Sequence, residues 1–283
     1  MSLPPAGAST SATAGYPEAV AFSGSPPPDA APGDLVRVLF IGSDARPGEN
    51  FRRTRGDSLH LVVINRTTRR GTILGFPRDS WVAIPGHGRT KINASLTYGG
   101  PSLTAATVTA LTGIPIDYFV VTGFDGFSTL VTELGGLRVN VRRPMNDKAS
   151  GAVFPTGIQL FNGPATLAFS RDRHDVPGGD FGRSANQGEV LLAALAKLRS
   201  ETSDDAGLLR WAAVLRRSAD LDVPLDKLAP LLALARSVDP AGLTNVIVPG
   251  RSVLVGKTSA VAIGSGAAEL FADVRTDGVV NGH

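Results

Sequence analysis

The sequence LVRVLFIG, residues 35–42, is a near-continuous apolar run that predicts a buried β-strand. A second apolar run, DSLHLVVIN at residues 57–65, predicts another strand. The polar turn RTTRRG connects it to GTILGFP, residues 71–77, which predicts a hairpin partner. We therefore expect three neighbouring strands to form the start of a sheet.

Acidic residues stand at the ends of these strands. If the turn pairs Asn65 with Gly71, antiparallel counting places Asp57 opposite Asp79. Asp44 follows the first strand and reaches the same edge if that strand lies beside the second. The sequence therefore predicts three strand ends that converge on one rim.

The rest of the chain alternates between helical and strand patterns, which indicates an α/β domain with a central sheet covered by helices. Asn162 or Gly163 is expected to cap a short helix that has Pro164 near its start. Further strands are predicted at residues 116–121, 137–141 and 245–250. Further helices are predicted at residues 102–111, 125–134, 183–199, 205–218, 225–237 and 267–278.

Composition restricts the classes of function. The chain has 283 residues, of which 42% are hydrophobic and 19% charged, enough to bury a substantial core. A net charge of +3 without a block of lysine or arginine argues against nucleic-acid binding. The absence of cysteine excludes disulfides and thiolate chemistry. Zinc is not indicated either, because no ligand spacing connects the histidines, which are His60, His87, His174 and His283.

Residues 1–33 are rich in Ala, Ser, Gly and Pro, a composition that favours a flexible tether. No segment has the length and apolarity of a transmembrane helix, and the chain does not start with a signal-peptide pattern. We expect one catalytic domain over residues 34–283, in a protein whose membrane anchor is missing from this sequence.

The segment RDRHDVPGGDFGRSANQ, residues 171–187, has the features of an anion site. A helix that starts near Gly182 or Arg183 would direct its free amide groups at the preceding loop. Gln187 is four residues after Arg183 and shares its helix face. Arg171 and Arg173 would face the same space, forming a cup for a multiply charged oxyanion. Alternatively, these arginines are solvated at the surface or pair locally with Asp172, Asp175 and Asp180.

Asp44 and Asp57 suggest a cation at the rim. Two carboxylates that converge need a metal ion, an arginine or a raised pKa to offset their repulsion. Oxygen ligands next to a phosphate site suit Mg²⁺. In the alternative interpretation, Asp44 makes a turn, Asp57 starts a strand, and the backbone satisfies both carboxylates.

Seven blocks, in this order, resemble the LytR-CpsA-Psr family of bacterial cell-wall assembly enzymes. The resemblance covers about residues 36–198, and the order of the blocks makes it specific. The blocks are LFIGSDAR, RGDSLHLVVIN, ILGFPRDSWVAIPG, KINASLTYGG, DYFVVTGFDGFSTLVTELGGLRVNV, LFNGPATLAFSRDRH and DFGRSANQ.

The resemblance implies an extracytoplasmic three-layer α/β/α domain with a central mixed β-sheet, anchored by an N-terminal membrane helix. It implies transfer of a glycopolymer phosphate from a polyprenyl-pyrophosphate carrier to the muramic-acid hydroxyl of peptidoglycan, assisted by Mg²⁺ or Mn²⁺. Pyrophosphatase activity on the lipid is an implied side reaction. Heavy use of Ala, Gly, Pro and Arg suggests a G+C-rich genome and an actinobacterial source. The resemblance then implies arabinogalactan or a similar wall glycan as the polymer, with teichoic acid and capsular polysaccharide also open.

The resemblance also implies the roles of individual residues. The metal ligands would be Asp44 and Asp57. The pyrophosphate ligands would be Arg78, Lys91, Arg171, Arg173, Arg183 and Gln187, and the arginines would also be catalytic. For the base that accepts the sugar hydroxyl proton, the candidates are Asp79 and Asp180.

Two questions stay open at the level of the sequence. A metal-dependent lipid pyrophosphatase or a non-enzymatic protein that holds polyprenyl pyrophosphate would use the same anion cup. The carrier's isoprenoid tail needs an apolar channel, and VLLAALAKL (residues 190–198) and LAPLLALARSV (residues 228–238) are candidate walls. Such apolar helix stripes are more often ordinary core.

Overall fold

A computed structural model describes residues 34–46 and 48–280. The tether predicted for residues 1–33 lies outside the described residues, and the single-domain boundary at residues 34–283 stays a prediction. The strands are β1 (Leu35–Ser43), β2 (Gly56–Asn65), β3 (Gly71–Gly75), β4 (Trp81–Ile84), β5 (Gly88–Lys91), β6 (Tyr118–Thr122), β7 (Leu137–Val141), β8 (Met145–Asp147), β9 (Ala152–Phe154), β10 (Gly157–Phe161), β11 (Asp220–Leu221), β12 (Leu243–Ile247), β13 (Gly250–Val255) and β14 (Thr258–Ile263). The α-helices are α1 (Ala94–Thr112), α2 (Phe124–Glu133), α3 (Gly163–Arg171), α4 (Asp180–Glu201), α5 (Asp205–Ser218), α6 (Leu225–Ser237) and α7 (Ala267–Asp277).

The central sheet has the strand order β11-β6-β1-β2-β3-β12. Strand β1 pairs antiparallel with β2 and parallel with β6. Strand β3 pairs antiparallel with β2 and parallel with β12. The sheet is therefore mixed, and the carboxyl ends of β1, β3, β6 and β12 meet at one edge. In open α/β sheets this is the edge where ligands bind.

Helices cover both faces of this sheet. Alternate residues of β2 enter two different cores, because successive side chains of a strand point to opposite faces. Leu59 and Leu61 pack in a core shared with α1 and α7. Val62 and Ile64 pack in a core shared with α4 and α6. Burial on both faces explains the near-continuous apolar runs of the first strands, and it confirms the predicted α/β fold.

The first hairpin differs from its predicted register by one residue. Ile64, not Asn65, pairs with Gly71. The side chain of Asn65 instead accepts hydrogen bonds from the backbone amides of Thr67 and Thr68, at 3.0 Å each, and so builds the turn. Continued past the end of β3, the observed register places Arg78 opposite Asp57, where counting from the sequence had placed Asp79.

Two helices begin earlier than predicted. Helix α4 begins at Asp180, because Gly178 and Gly179, with φ values of 73° and 58°, turn the chain before it. Helix α1 begins at Ala94 and has a kink at Gly100 and Pro101, so that the predicted helix corresponds only to its second part. No helix among the described residues is long and apolar enough to cross a membrane.

Close packing of α3 against α2 gives a test of the fold. A Cβ atom on Gly163 would lie 1.9 Å from the backbone oxygen of Ser128. We expect Gly163→Ala to lower the free energy of unfolding by about 1–3 kcal/mol, since backbone atoms must shift to relieve the overlap. Gly266→Ala is the matched control, because the nearest atom to its added Cβ is 3.9 Å away. Urea denaturation of both variants measures the difference, and equal stabilities would contradict the described packing.

Candidate active site

Four charged side chains form a continuous chain of ion pairs at the rim. Arg78 Nη1 lies 2.6 Å from Asp57 Oδ1, and Arg78 Nε lies 3.9 Å from Asp180 Oδ1. The same oxygen of Asp180 accepts a hydrogen bond from Arg183 Nη2. The order Asp57, Arg78, Asp180, Arg183 alternates in sign, and we refer to these four residues as the rim ion-pair chain.

Burial shields the charges of this ion-pair chain from solvent, so they interact more strongly than exposed charges would. The side chain of Arg183 is 7% exposed, and those of Asp57, Arg78 and Asp180 are 21–23% exposed. Three of its polar atoms are buried and have no hydrogen-bond partner among the described residues: Nε of Arg78, Nε of Arg183 and Oδ2 of Asp180. Unpaired buried groups of this kind are costly, so they are suited to a polar ligand that pairs with them.

Burial also shifts the proton affinities of these groups. It raises the pKa of Asp180, with Arg183 and Arg78 opposing the shift and Asp79 and Asp57 adding to it. Burial lowers the pKa of Arg78, but the carboxylates of Asp57, Asp180 and Asp79 together outweigh that effect and raise the pKa above its ordinary value. Arg78 therefore keeps its charge, while Asp180 is closer than an ordinary aspartate to accepting a proton.

The burial of Arg183 corrects one sequence-based interpretation. The alternative of solvated surface arginines does not hold for Arg183, which is 6% exposed and lies in the first turn of α4. Local pairing with Asp180 is observed, as that alternative allowed. This ion pair does not use every donor of the Arg183 guanidinium, since Nε has no hydrogen-bond partner among the described residues.

The remaining predicted pyrophosphate ligands of the RDRHDVPGGDFGRSANQ segment lie around the rim ion-pair chain. Arg171 ends α3, and its guanidinium carbon lies 5.0 Å from the ring centre of Phe124. Gln187 Nε2 donates a hydrogen bond of 3.1 Å to the backbone oxygen of Ser170, which ties α4 to α3. Arg173 is exposed. Its charge contributes to the lowered pKa of Arg183, for which burial is the largest cause.

Lys91 and Asp79 form a separate ion pair beside the rim. Lys91 Nζ lies 3.1 Å from Asp79 Oδ2. Lys91 ends β5, which pairs with β4, and the following residues bind back to the turn that carries Arg78. The backbone amide of Asn93 donates a hydrogen bond of 3.2 Å to the oxygen of Arg78. The Asp79 carboxylate is thus paired with the Lys91 ammonium group, whereas Oδ2 of Asp180 has no hydrogen-bond partner among the described residues.

The two predicted metal ligands both lie at this edge but are held differently. Asp44 Oδ1 accepts a hydrogen bond of 3.0 Å from the backbone amide of Arg55. Asp57 Oδ1 is bound to the Arg78 guanidinium rather than to backbone. The backbone alternative considered for both residues therefore holds for Asp44 alone. Each carboxylate keeps Oδ2 outside these hydrogen bonds, and carboxylate oxygens are the donors that Mg²⁺ or Mn²⁺ prefers, so the residues fit such an ion.

A cavity of about 320 Å³ opens from the arginines into the apolar layer between the sheet and the helices. Asp57, Arg171, Arg183 and Gln187 line its polar part. Aliphatic and aromatic side chains of the sheet and of α2, α4, α5 and α6 line the rest, among them Val38, Phe40, Val62, Leu130, Leu191, Leu195, Trp211, Leu228 and Leu231. The two apolar stripes proposed as channel walls, in α4 and α6, both contribute to it.

His60 is a positioning residue that sequence reasoning missed. It lies on β2, is 1% exposed, and connects the sheet to the first turn of α4. Its Nε2 lies 3.0 Å from the backbone oxygen of Ser184, which follows Arg183, and its Nδ1 lies 3.2 Å from the Ser58 hydroxyl. A single histidine within an otherwise apolar strand is the one signal that pointed to it.

The sequence model of the LytR_cpsA_psr family matches residues 8–271 of this chain. The chain belongs to the LytR-CpsA-Psr family. Among curated proteins of this family, polyisoprenyl-teichoic acid–peptidoglycan teichoic acid transferase TagT of Bacillus subtilis is 36% identical over 178 residues, which are 60% of this chain and 55% of TagT. TagU of Bacillus licheniformis is 35% identical over 58% of this chain and 52% of TagU. The chain spans about half the length of the curated relatives it matches.

Solved structures of the LytR-CpsA-Psr family share the fold. TagV of B. subtilis is 26% identical, with a TM-score of 0.76 over 87% of this chain and 97% of TagV. The structure of YwtF (TagT) with bound octaprenyl pyrophosphate lipid is 25% identical, with a TM-score of 0.67 over 87% of this chain and 92% of that chain.

The burial of His60 should make the free energy of unfolding depend on pH. Burial lowers its pKa from 6.5 to about 4, although the hydrogen bond with Ser184 opposes this shift. The unfolded chain therefore binds this proton at higher pH than the folded chain. The free energy of unfolding should fall as the pH decreases from about 6.5 to about 4, with a contribution of about 3 kcal/mol from this group.

Chemical denaturation of wild type and His60→Gln between pH 4 and 7 measures this contribution. Glutamine keeps an N–H donor but has no proton to gain, so we expect the variant to lose less stability than wild type across this window. His87→Gln is the control, since His87 is exposed and stacks on Tyr98. A His60→Gln profile parallel to that of wild type would show that His60 is not the titrating group.

Proposed function

We propose that this chain is a phosphotransferase that moves a glycopolymer from a polyprenyl-pyrophosphate carrier to peptidoglycan, forming a phosphodiester. One observation carries the proposal: Arg171 and Arg183, with Asp57 and Gln187, line the polar part of an otherwise apolar cavity of about 320 Å³. A polyprenyl pyrophosphate combines the same two features, a multiply charged head and an apolar tail. Related proteins are named as transferases of teichoic acid from a polyisoprenyl carrier, and one is described with bound octaprenyl pyrophosphate.

The arginines supply the electrostatic part of the reaction. The acceptor hydroxyl oxygen attacks the phosphorus that carries the glycan, and the bond from that phosphorus to the bridging oxygen breaks. Polyprenyl phosphate leaves with the electron pair of this bond. Charge that develops on the departing phosphate is stabilised by Arg78, Arg171, Arg173 and Arg183, with Gln187 as a neutral donor. Lys91 acts on the site through Asp79, since it forms an ion pair with that carboxylate.

Asp180 is the better supported of the two candidate bases. Its pKa is raised by burial, which brings it closer to the working pH of a general base, and its Oδ2 has no hydrogen-bond partner among the described residues. Asp79 is held by Lys91 at 3.1 Å. The proton of the acceptor hydroxyl would therefore pass to Asp180.

Asp44 and Asp57 would hold a divalent cation, Mg²⁺ or Mn²⁺. When bound, such an ion supplies further positive charge to the pyrophosphate. Asp57 would then be shared between the ion and Arg78, since one of its oxygens already accepts the Arg78 hydrogen bond.

The polymer that we propose as donor is a secondary cell-wall glycopolymer, the class to which the teichoic acid in the relatives' names belongs. Arabinogalactan is a second polymer of this class, suggested by composition alone. With peptidoglycan as the acceptor, the domain would act on the outer side of the cytoplasmic membrane, in the cell envelope. The N-terminal membrane anchor implied by the family resemblance stays a prediction.

Arg173→Ala tests the role of the arginines. Arg173 is exposed, so its removal should leave the melting temperature unchanged and lower turnover by about 100-fold. Arg251→Ala is the matched control, because Arg251 is an exposed arginine on β13. Full activity of Arg173→Ala would remove that residue from the site.

The assay should use a polyprenyl-pyrophosphate-linked glycan with and without peptidoglycan, and measure both polymer-linked product and released polyprenyl phosphate. The proposal expects linked product only when the acceptor is present. Release at an equal rate without acceptor, and without linked product, would identify a lipid pyrophosphatase. Lipid binding without turnover would identify a holding protein.

Asp44→Asn tests the metal assignment. The Oδ1 of asparagine can still accept the hydrogen bond from Arg55, so the local fold should persist while a charged metal ligand is lost. We expect a higher Mg²⁺ concentration for half-maximal activity, by about tenfold, and an activity gap that narrows as Mg²⁺ increases. Asp226→Asn, at an exposed position in α6, is the control. An equal loss at every Mg²⁺ concentration would show that Asp44 is not a ligand.

A further inference from the structure

A second group of possible metal ligands lies outside the rim ion-pair chain. Asp147, Asp172 and His174 each offer one ligand atom, and these atoms all lie within 4.8 Å of one another. Asp147 ends β8, whereas Asp172 and His174 directly follow α3. We refer to these three residues as the Asp-Asp-His cluster.

Hydrogen bonds fix the backbone around the cluster. Asp172 Oδ1 accepts from the amides of His174, at 2.9 Å, and Asp175, at 3.2 Å. Asp147 Oδ1 accepts from the amide of Ala149 at 2.9 Å. The amide of Asn146 donates to Asp175 Oδ2, which joins the segment after α3 to the β8–β9 hairpin. The β8–β9 hairpin and the segment after α3 are far apart in the sequence, and these hydrogen bonds hold the three side chains that they carry close together.

The cluster contains more negative charge than its own contacts satisfy. His174 Nδ1 lies 3.1 Å from Asp147 Oδ2, so one imidazole faces two carboxylates. Asp172 is fully buried, and its Oδ2 accepts no hydrogen bond from any described residue. A buried carboxylate oxygen without a partner is unfavourable unless a cation or a proton compensates it. The carbonyl end of α3, which precedes Asp172, also favours positive charge here.

We propose that the Asp-Asp-His cluster binds one divalent transition-metal ion, held by a carboxylate oxygen of Asp147, a carboxylate oxygen of Asp172 and the imidazole of His174. A mixed set of one nitrogen and two oxygen donors suits Zn²⁺ and its neighbours. Mg²⁺ and Ca²⁺ prefer oxygen ligands and larger coordination numbers. Three protein ligands leave a coordination position for water. This ion is distinct from the one proposed at Asp44 and Asp57.

The position of Asp172 gives the ion a structural role. Asp172 lies between Arg171 and Arg173, two of the residues assigned to the pyrophosphate. An ion bound to its carboxylate would attach this short segment to the β8–β9 hairpin and so restrict the backbone that carries both arginines. The metal site itself does not depend on the proposed transferase activity, and it can be tested by binding alone.

Calorimetric titration of the chelator-treated full chain with Zn²⁺ tests the site, with Mg²⁺ as the comparison ion. We expect one Zn²⁺ per chain, a higher melting temperature on binding, and a much weaker response to Mg²⁺. His174→Gln and Asp147→Asn should each weaken Zn²⁺ binding at least about tenfold. The His174 side chain is 58% exposed, so its variant should fold. His87→Gln controls for binding by an exposed histidine elsewhere and should bind as wild type does.

Three results would overturn the proposal. The first is the absence of Zn²⁺ binding to the wild-type chain. The second is binding that is equally tight in wild type, His174→Gln and Asp147→Asn, which would place the ion elsewhere. The third is Mg²⁺ binding as tight as Zn²⁺ binding, which would contradict the donor set.

Discussion

Asp180 lies between two arginines, and the candidate site depends on this arrangement. One carboxylate oxygen faces both Arg78 Nε and the guanidinium of Arg183, so a single side chain from α4 connects the turn after β3 to the helix. Two largely buried cations are brought close together only because a carboxylate separates them. Removing Asp180 would leave two buried positive charges facing each other, which is far more costly than losing a surface ion pair. The same arrangement leaves Nε of Arg78 and Nε of Arg183 without a hydrogen-bond partner among the described residues.

Helix α4 connects this charge arrangement to the apolar cavity. Its first turn carries Asp180 and Arg183, and its next turn carries Gln187. Farther along, Leu191 and Leu195 line the cavity. Because one rigid helix carries both sets of residues, the charged mouth and the apolar interior keep a constant relative position. His60 strengthens this geometry by attaching the backbone at Ser184 to the sheet.

The cavity replaces part of an ordinary core. Apolar side chains from the sheet and four helices face an open volume where close-packed interiors normally have few voids. Such a volume forgoes contacts between side chains, and this loss of stability can be recovered when an apolar ligand fills it. The opposite face of the sheet is packed in the ordinary way by α1 and α7, so that stability and ligand binding are divided between the two layers.

The sequence by itself determined the strand positions at the start of the sheet, most helices, a helix cap at Asn162 or Gly163, and the residue types that meet at the rim; the structure selects Asn162 as the cap. Local patterns of this kind depend on near neighbours, which a sequence displays directly. Only the tertiary structure decided the one-residue register that places Arg78 opposite Asp57. In this register Asn65 belongs to the turn, where its amide donates to the Arg70 oxygen and its side chain accepts from the amides of Thr67 and Thr68. The tertiary structure alone also decided the burial of Arg183, the contact of His60 with α4, and whether two apolar helices enclose a cavity or fill a core.

The Asp-Asp-His cluster was likewise decided by the tertiary structure, since Asp147 meets Asp172 and His174 only when β8 and the end of α3 pack together. These features depend on contacts between residues distant in the chain, and spacing along the sequence carries no information about them.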